Sequence, residues 1–434
     1  MSTLRTIATP RNAILDRFAA YETHPPLYFL QLKAWRALGM RSLVKLRANS
    51  ALWGSLSLVL VYLVARLYGG ESAGLLAVGL LSLSPFHLAY SQELRPYAMA
   101  MAIGLAALLA LERRAWVLLG VLWTALLYTH YWGTFVVLAQ AVYGWTAARP
   151  MHDKKAILAA AGAAALLFTP WLPILWAQLG IINGLVFWAQ AFSVTNLGKV
   201  FLAYSGLVFN MASWTFYLPT TVWVLALIGL AFAGALIKGI ICGPRAPAIW
   251  LAVGLGVPWL LSLWKPAIFV WYRYPVLMLP AFVLLVSMGL LVSRPTSHVG
   301  RRTWDVGRLT MIIICLGSQA WGTWTYFHHW QKANPEAVVR YIHWLKKPAT
   351  VVVRPYYFAD LFGFYDQGST PTIDEHLLDS SAKRAALKGK DVLLVAFDVP
   401  SDPVADAFLA EFETLTARYF PGTAHLGITV YQLK

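Results

Sequence analysis

The sequence predicts an all-α polytopic membrane bundle of about ten spans with a small C-terminal α/β domain. Three observations predict it. Of the 434 residues, 59% are hydrophobic and 12% charged, where a soluble domain is nearer roughly a quarter charged. Apolar runs recur from residue 48 to 327, divided by short loops. After residue 327 the composition turns mixed, and strand patterns alternate with helical ones. The domains therefore read as 1–47, an outer loop with juxtamembrane helices; 48–327, the transmembrane bundle; and 328–434, a soluble α/β domain on the outer side.

The net charge is +16, from 35 basic and 19 acidic residues. In a soluble chain that excess suggests nucleic acid. Here the cations fall in short loops between apolar runs, so they report topology. Cys242 and Cys315 stand far apart, one beside a basic loop and one inside an apolar run, which suits neither a metal site nor a disulfide framework. Met1 to Glu22 is polar and mixed, without the apolar core of a secretory signal.

Taken in order, Met1–Arg47 holds a polar segment, then Glu22-Thr23-His24-Pro25-Pro26, then an apolar run from Leu27 to Leu38. That run is too short for the roughly 20 residues of a spanning helix and reads as a shallow or re-entrant one. The prolines suit its first turn. Spans are expected at Ala48–Leu67, Ala73–Tyr90, Tyr97–Leu111, Trp116–His130, Trp132–Trp145, Ala156–Trp176, Trp214–Ile237, Ala248–Trp264, Pro275–Val292 and Leu309–Phe327. Asn196–Asn210 adds a partly embedded helix. One set of loops carries Arg66, Arg113, Arg114, Lys154, Lys155, Lys238, Arg245, Arg301 and Arg302 and should face the cytoplasm. The other set is rich in Trp and Tyr and should face outward, together with everything after Phe327. An even count of spans then places Met1–Arg47 outside too, which is expected of a chain lacking a first helix; a miscount by one span is the alternative.

In the C-terminal part, helices are expected at Pro335–Lys346, Ser380–Leu387 and Pro403–Ala417, and strands at Thr350–Phe358, Asp391–Phe397 and Gly427–Leu433. No glycine-rich turn follows a strand, which argues against a nucleotide site. Arg354, Tyr356 and Tyr357 read as surface residues of a lid, or as substrate contacts.

Four clusters of chemistry lie at the outward ends of spans. Tyr90-Ser91-Gln92-Glu93-Leu94-Arg95-Pro96-Tyr97-Ala98 places a Glu and an Arg two residues apart among tyrosines. Glu22 and His24 are spaced alike, so His24 suits a proton carrier or a phosphate partner. Tyr128-Thr129-His130-Tyr131-Trp132 offers a second His. Arg273, beside Tyr272 and Tyr274, suits a lipid-linked phosphate. Each also reads as interfacial belt chemistry or a snorkelling cation. Together they suit an amphiphilic donor with its chain in the bilayer and its phosphate at the surface.

His24-Pro25-Pro26-Leu27-Tyr28-Phe29-Leu30 followed by Tyr90–Ala98 resembles the bacterial branch of the GT-C glycosyltransferases, related to protein O-mannosyltransferases and to the aminoarabinose transferases that modify lipid A. The resemblance covers most of the chain. It implies transfer of a sugar from a polyprenyl-phosphate donor to a lipid, glycan or protein acceptor outside the cytoplasmic membrane. It also implies a multi-pass protein of that membrane with the C-terminal domain outside. In the family an Asp, often Asp-Glu, well upstream of the Pro-Pro pair is the usual base. Here Asp16 is the only Asp before that pair, in what reads as an amphipathic surface helix. The expected catalytic residues are Glu22, His24 and Glu93. The expected substrate-binding residues are Arg95, Tyr97, His130, Tyr131, Arg273 and Tyr274. Thr23 and His24 stand where some relatives have an acid and a Lys, so no cofactor is assigned and a divalent metal stays open. The implied reaction is an inverting displacement, in which Arg95, Arg273 and His24 offset the charge of the departing phosphate and Glu93 positions Arg95 or binds the sugar. A transporter or flippase of lipid-linked sugars is the alternative, as is an inactive relative that binds donor lipid. Few charges at mid-span and no internal repeat favour the enzyme.

Overall fold

The computed structural model describes residues 2–147, 150–184, 192–210, 215–217, 222–265, 268–291, 298–329, 335–345, 350–354, 359–366, 372–373, 385, 387–388, 390–397, 403–420 and 428–433. They form two compact units. The larger comprises Thr9–Val208 and Tyr217–Trp324; the smaller comprises Met1–Ala8, Phe209–Phe216 and Thr325–Lys434.

The larger unit is helical. After a short 3-10 turn at Arg11–Ala13 come helices α2 (Ile14–Tyr21), α3 (Leu27–Ala37) and α4 (Leu43–Ser82), α1 (Ser2–Ala8) belonging to the smaller unit. Asp16 is exposed on α2 while Phe18 is buried, so α2 is the amphipathic surface helix its sequence suggests. Pro26 stands at the N-cap of α3, where its missing N–H costs nothing.

The single run α4 is two helices. Gly69 (φ −139°, ψ 16°) and Gly70 (φ 76°, ψ −170°) are non-helical, and the left-handed φ of Gly70 is one that glycine takes without a Cβ penalty. A Cβ on Gly74 would lie 2.7 Å from the Tyr62 ring. Twelve residues of straight helix would hold them about 18 Å apart. The chain therefore doubles back at Gly69-Gly70, between the expected spans Ala48–Leu67 and Ala73–Tyr90. The second span is shorter than expected. It stops at Ser82, and Ser84 caps a new helix, α5 (Pro85–Ser91), with Pro85 in its first turn.

Then follow α6 (Tyr97–Glu112), α7 (Trp116–Leu127), α8 (Gly133–Ala147), α9 (Met151–Phe168), α10 (Leu172–Gly184), α11 (Thr195–Tyr204), α12 (Val222–Cys242), α13 (Arg245–Leu261), α14 (Leu279–Leu291) and α15 (His298–His329). The expected helix Asn196–Asn210 ends at Tyr204; β1 (Val208–Asn210) pairs with β2 (Thr215–Tyr217), most of both strands belonging to the smaller unit. Helices α6 and α14 are buried on nearly every face, whereas Val117, Val222 and Trp223 on α7 and α12 are exposed, as on a bundle whose solvent is lipid. Helices α12 and α14 meet backbone to backbone: a Cβ on Gly239 would lie 2.0 Å from the Leu285 oxygen, and one on Gly289 1.8 Å from that of Ala235. Four helical stretches are long and apolar enough to cross a membrane: Leu43–Ser82, Met151–Gly180, Val222–Cys242 and Tyr274–Leu291. Tyr97–Glu112, Trp116–Leu127 and Arg245–Leu261 are shorter apolar helices. The chain is thus a multi-pass helical membrane protein, but full-length helices among the described residues do not match all of the expected spans.

The smaller unit contains α1, α16 (Pro335–Leu345), α17 (Ala359–Asp366), α18 (Pro403–Glu411) and a five-stranded sheet in the order β4 (Thr372–Ile373), β3 (Thr350–Arg354), β5 (Val392–Phe397), β7 (Ile428–Leu433), β6 (Thr414–Phe420). Strands β4, β3 and β5 are parallel; β7 is antiparallel to β5 and to β6. Val351, Val353, Leu393 and Val395 pack on one face with Val339, Ile342 and Phe362. Val352, Val392 and Leu394 pack on the other with Leu387, Phe408 and Phe412. Helices cover both faces, which is why these strands read as unbroken apolar runs. The expected helix Pro403–Ala417 stops at Glu411, because the β-branched and aromatic residues from Thr414 to Phe420 form the edge strand β6. Most of Ser380–Leu387, and Tyr356 and Tyr357, lie outside the described residues. Arg354 is buried at the end of β3.

Candidate active site

Four loops of the larger unit meet at one end of the bundle. The first, Glu22–Pro26, joins α2 to α3. Gln178 on α10 donates through Nε2 to the Phe18 carbonyl at 2.9 Å and the His24 carbonyl at 3.5 Å. The Leu27 N–H donates to the Tyr128 carbonyl at 2.9 Å. The loop is thus held on both sides, and Glu22 and His24 are buried.

The second loop, 92–96, is a tight turn in which the Arg95 N–H reaches the Glu93 carbonyl at 2.8 Å. Pro96 then caps α6, so Tyr97 starts a helix and points into the site. The third is the turn from Tyr128 to Trp132. A Cβ on Gly133 would lie 2.8 Å from the Leu126 carbonyl oxygen, so the return into α8 needs glycine. The fourth runs from Ile268 to Tyr274. Trp132 Nε1 donates to the Ile268 carbonyl at 2.8 Å, and the hydroxyls of Tyr90 and Tyr204 donate to the carbonyls of Tyr272 and Pro275.

These loops build an aromatic cage. The His24 and His130 rings are 5.1 Å apart, Tyr97 and His130 5.3 Å, His130 and Tyr274 5.5 Å, and Tyr97 and Tyr274 6.5 Å. On one side of it His24 Nδ1 lies 3.3 Å from Glu22 Oε1, and Arg95 is 4.0 Å from the same oxygen. Burial pushes the Glu22 carboxyl up, but the His24 hydrogen bond, the charge of Arg95 and the Thr23 N–H outweigh it and hold it at about 2. Burial lowers the pKa of His24 below 6.5, against the pull of the Glu22 hydrogen bond, and Arg95 and Arg273 lower it further. His24 is therefore neutral at pH 7, and Arg95 rather than the imidazole supplies the positive charge beside Glu22. Burial also works to lower the pKa of Arg273, but Tyr97, Glu93, Tyr90 and Tyr274 raise it overall, and the guanidinium stays charged.

Of the residues singled out from sequence, the structure brings Glu22, His24, Arg95, Tyr97, His130 and Tyr274 together, with Glu93 and Arg273 within electrostatic reach of Tyr97. The charges of the Glu93–Arg95 turn part company: Arg95 turns to Glu22, and Glu93 acts on Arg273. Tyr131 has protein partners instead. Its hydroxyl donates to Gln178 Oε1 and accepts from Trp171 Nε1 at 3.0 Å, which makes it a strut under the Glu22–Pro26 loop. Gln178 was not foreseen. Its only sequence signal is a polar side chain in the otherwise apolar stretch Trp176–Ile182. Among the described residues no group of three or more His, Cys, Asp or Glu side chains is placed to hold a metal ion.

Residues 23–174 match the family model described as dolichyl-phosphate-mannose-protein mannosyltransferase. That span contains His24, Arg95, Tyr97 and His130. No curated protein matches the sequence significantly. Among solved structures, ArnT from Cupriavidus metallidurans in the apo state is similar at a TM-score of 0.53 and 13% identity, over 94% of this chain and 87% of that one. The same protein bound to undecaprenyl phosphate is similar at 0.52 and 12%, over 94% and 88%. The arabinofuranosyltransferase AftD from Mycobacteria gives 0.47 and 15%, over 90% of this chain and 33% of that one. The resemblance drawn from the His24-Pro25-Pro26 and Tyr90–Ala98 motifs is borne out: the chain shares the fold of ArnT, carries a mannosyltransferase-family segment, and is similar to the GT-C glycosyltransferases.

Proposed function

We propose that the protein is a membrane glycosyltransferase that moves a sugar from a polyprenyl-phosphate donor to an acceptor hydroxyl on the outer side of the cytoplasmic membrane. The observation that carries this reading is the buried Glu22–His24 pair beside Arg95, facing an aromatic cage. A carboxylate on one nitrogen of a neutral imidazole leaves the other free to take a proton and stabilises the imidazolium that forms. The acceptor O–H bond breaks and its proton passes to His24 Nε2. The oxygen bonds to the anomeric carbon as the bond from that carbon to the phosphate oxygen breaks, and polyprenyl phosphate leaves with the electron pair. The leaving group is already an anion, so cations serve it better than an acid. Arg95 and Arg273 take that role, and Glu93 keeps Arg273 charged. Tyr97 and Tyr274 offer faces for the sugar and help exclude water, which would otherwise compete as acceptor. The likeness to ArnT bound to undecaprenyl phosphate supports a donor of that class.

The test uses the full chain in nanodiscs with undecaprenyl-phosphate-linked radiolabelled mannose or aminoarabinose and extracted bacterial envelope lipids. Label should move to the lipid fraction, and Glu22→Gln should reduce transfer at least about a hundredfold. Undecaprenyl phosphate binding without transfer from either donor would point instead to a carrier or donor-binding protein.

A further inference from the structure

Two imidazoles share the cage, and their neighbours have already fixed which nitrogen of each carries the proton. A carboxylate only accepts, so the contact of Glu22 Oε1 with His24 Nδ1 places a proton on that nitrogen, where the Thr23 hydroxyl at 3.2 Å is a second neighbour. The neutral ring then has a bare Nε2. His130 is the reverse. Its Nδ1 accepts the Trp132 backbone N–H at 3.0 Å and must keep its lone pair, so the proton sits on Nε2. That Nε2 is buried without a hydrogen-bond partner among the described residues, in a side chain 3% exposed. A buried donor left unanswered is costly, and in a native protein it points to something absent. The ring centres are 5.1 Å apart at 72°, so the two imidazoles are direct neighbours in the cage.

We propose that His130 is the residue that positions the acceptor hydroxyl, seating it together with His24. The hydroxyl O–H donates to the bare Nε2 of His24, and its oxygen accepts from the Nε2–H of His130. This rests on the glycosyl-transfer reading above and adds a positioning residue to it. A phosphate oxygen, which only accepts, would face the lone pair of His24. A protonated amine, which only donates, would leave the His130 N–H unanswered. A hydroxyl satisfies both nitrogens at once. In the transfer step its proton goes to His24 Nε2, the O–H bond breaking as the bond to the anomeric carbon forms. His130 keeps its own proton throughout, because its Nδ1 is committed to Trp132. It therefore holds the nucleophilic oxygen and does not act as a base.

The experiment has two arms, both on the full chain in nanodiscs. In the first, histidine is labelled with 15N, and the His24 and His130 signals are assigned by their loss in His24→Gln and His130→Gln. Glycerol, as a probe alcohol, should shift the Nε2 signals of both residues. In the second, His130→Phe should raise KM for the acceptor roughly ten- to hundredfold, from loss of one buried hydrogen bond, with Kd for undecaprenyl phosphate unchanged. His130→Gln, which retains an N–H donor, should recover part of the loss and controls for folding. Weakened undecaprenyl phosphate binding in His130→Phe would reassign the residue to the phosphate and overturn the proposal. So would glycerol shifting neither nitrogen. If the wild type transfers no sugar while glycerol still shifts both rings, the glycosyl-transfer reading fails and the hydroxyl seat stands.

Discussion

Tyr131 donates its hydroxyl to Oε1 of Gln178, a side chain with no exposed surface. Gln178 passes the connection on through Nε2 to the Phe18 and His24 carbonyls, and Trp171 Nε1 completes it by donating to Tyr131. A chain of satisfied buried groups ties α10 to the loop that bears Glu22 and His24. Gln178→Leu removes the middle link and leaves several groups unanswered at once. The expected cost is about 2–4 kcal/mol of stability, read as a lowered Tm in nanodiscs. Transfer should fall through kcat more than KM, because the loop that carries the proposed base loses its anchor. Tyr131→Phe, which removes one hydroxyl, should cost about 1 kcal/mol. Equal effects of the two variants would break the ordering.

The pH dependence follows from the Glu22–His24 pair. His24 acts as a base only when neutral, and its pKa lies below 6.5. Activity should therefore rise with pH along a limb centred below pH 6.5 and be flat through neutrality. Glu22, held at about 2, stays ionised across that range and contributes no limb of its own. Stability moves in the same sense. Both groups bind protons less readily folded than unfolded, so the unfolded chain takes up protons first as pH falls. For His24 this loss begins below about 6.5; for Glu22 it runs from about 4.5 down to about 2. Glu22→Gln removes the partner that raises the pKa of His24, so the residual activity should show its limb at still lower pH. A limb above pH 6.5 in the wild type would remove His24 as the base.

Much of this site was legible in the sequence because its chemistry is local. Glu22 and His24 are two residues apart, as are Glu93 and Arg95, and both pairs border apolar runs. What was not legible depends on the chain meeting itself. Arg95 pairs with Glu22 across 73 positions rather than with its neighbour Glu93. Gln178 reads as a stray polar residue until α10 is laid against α2. The reversal inside α4, by contrast, falls where the expected spans Ala48–Leu67 and Ala73–Tyr90 part, and it turns on the left-handed φ of Gly70. Strand β6 was lost to a helix reading because Pro403–Glu411 continues into an alternating segment whose strand character comes from pairing with β7.

The close approach of α12 and α14 gives a prediction for the scaffold. Gly289→Ala would set a methyl 1.8 Å from the Ala235 carbonyl oxygen, and backbone cannot swing aside as a side chain can. The helices must separate, at a cost of about 1–3 kcal/mol. Gly229→Ala on α12 meets nothing within 4 Å and serves as the control. Thermal unfolding in nanodiscs should show a lowered Tm for Gly289→Ala and none of that loss for Gly229→Ala.

In the proposed site both cations serve the donor phosphate, and their variants should differ. Arg95 is 4.0 Å from Glu22, so Arg95→Ala removes a phosphate partner and also a charge that holds Glu22 ionised and His24 neutral. Arg273 is bounded by the ring of Tyr272, whose centroid is 5.8 Å from the guanidinium, and lies within reach of Glu93. A charged hydrogen bond is worth about 1.5–3 kcal/mol. Each alanine variant should therefore weaken undecaprenyl phosphate binding roughly ten- to hundredfold. Arg273→Lys keeps the charge but loses the planar fork, so it should recover only part of that affinity. The pH profile separates the two. Losing Arg95 removes a cation that depresses His24, so the acid limb should move up in Arg95→Ala. It should move less in Arg273→Ala, because Arg273 is the weaker influence on that imidazole. Unchanged binding in both alanine variants would take the phosphate out of this end of the bundle.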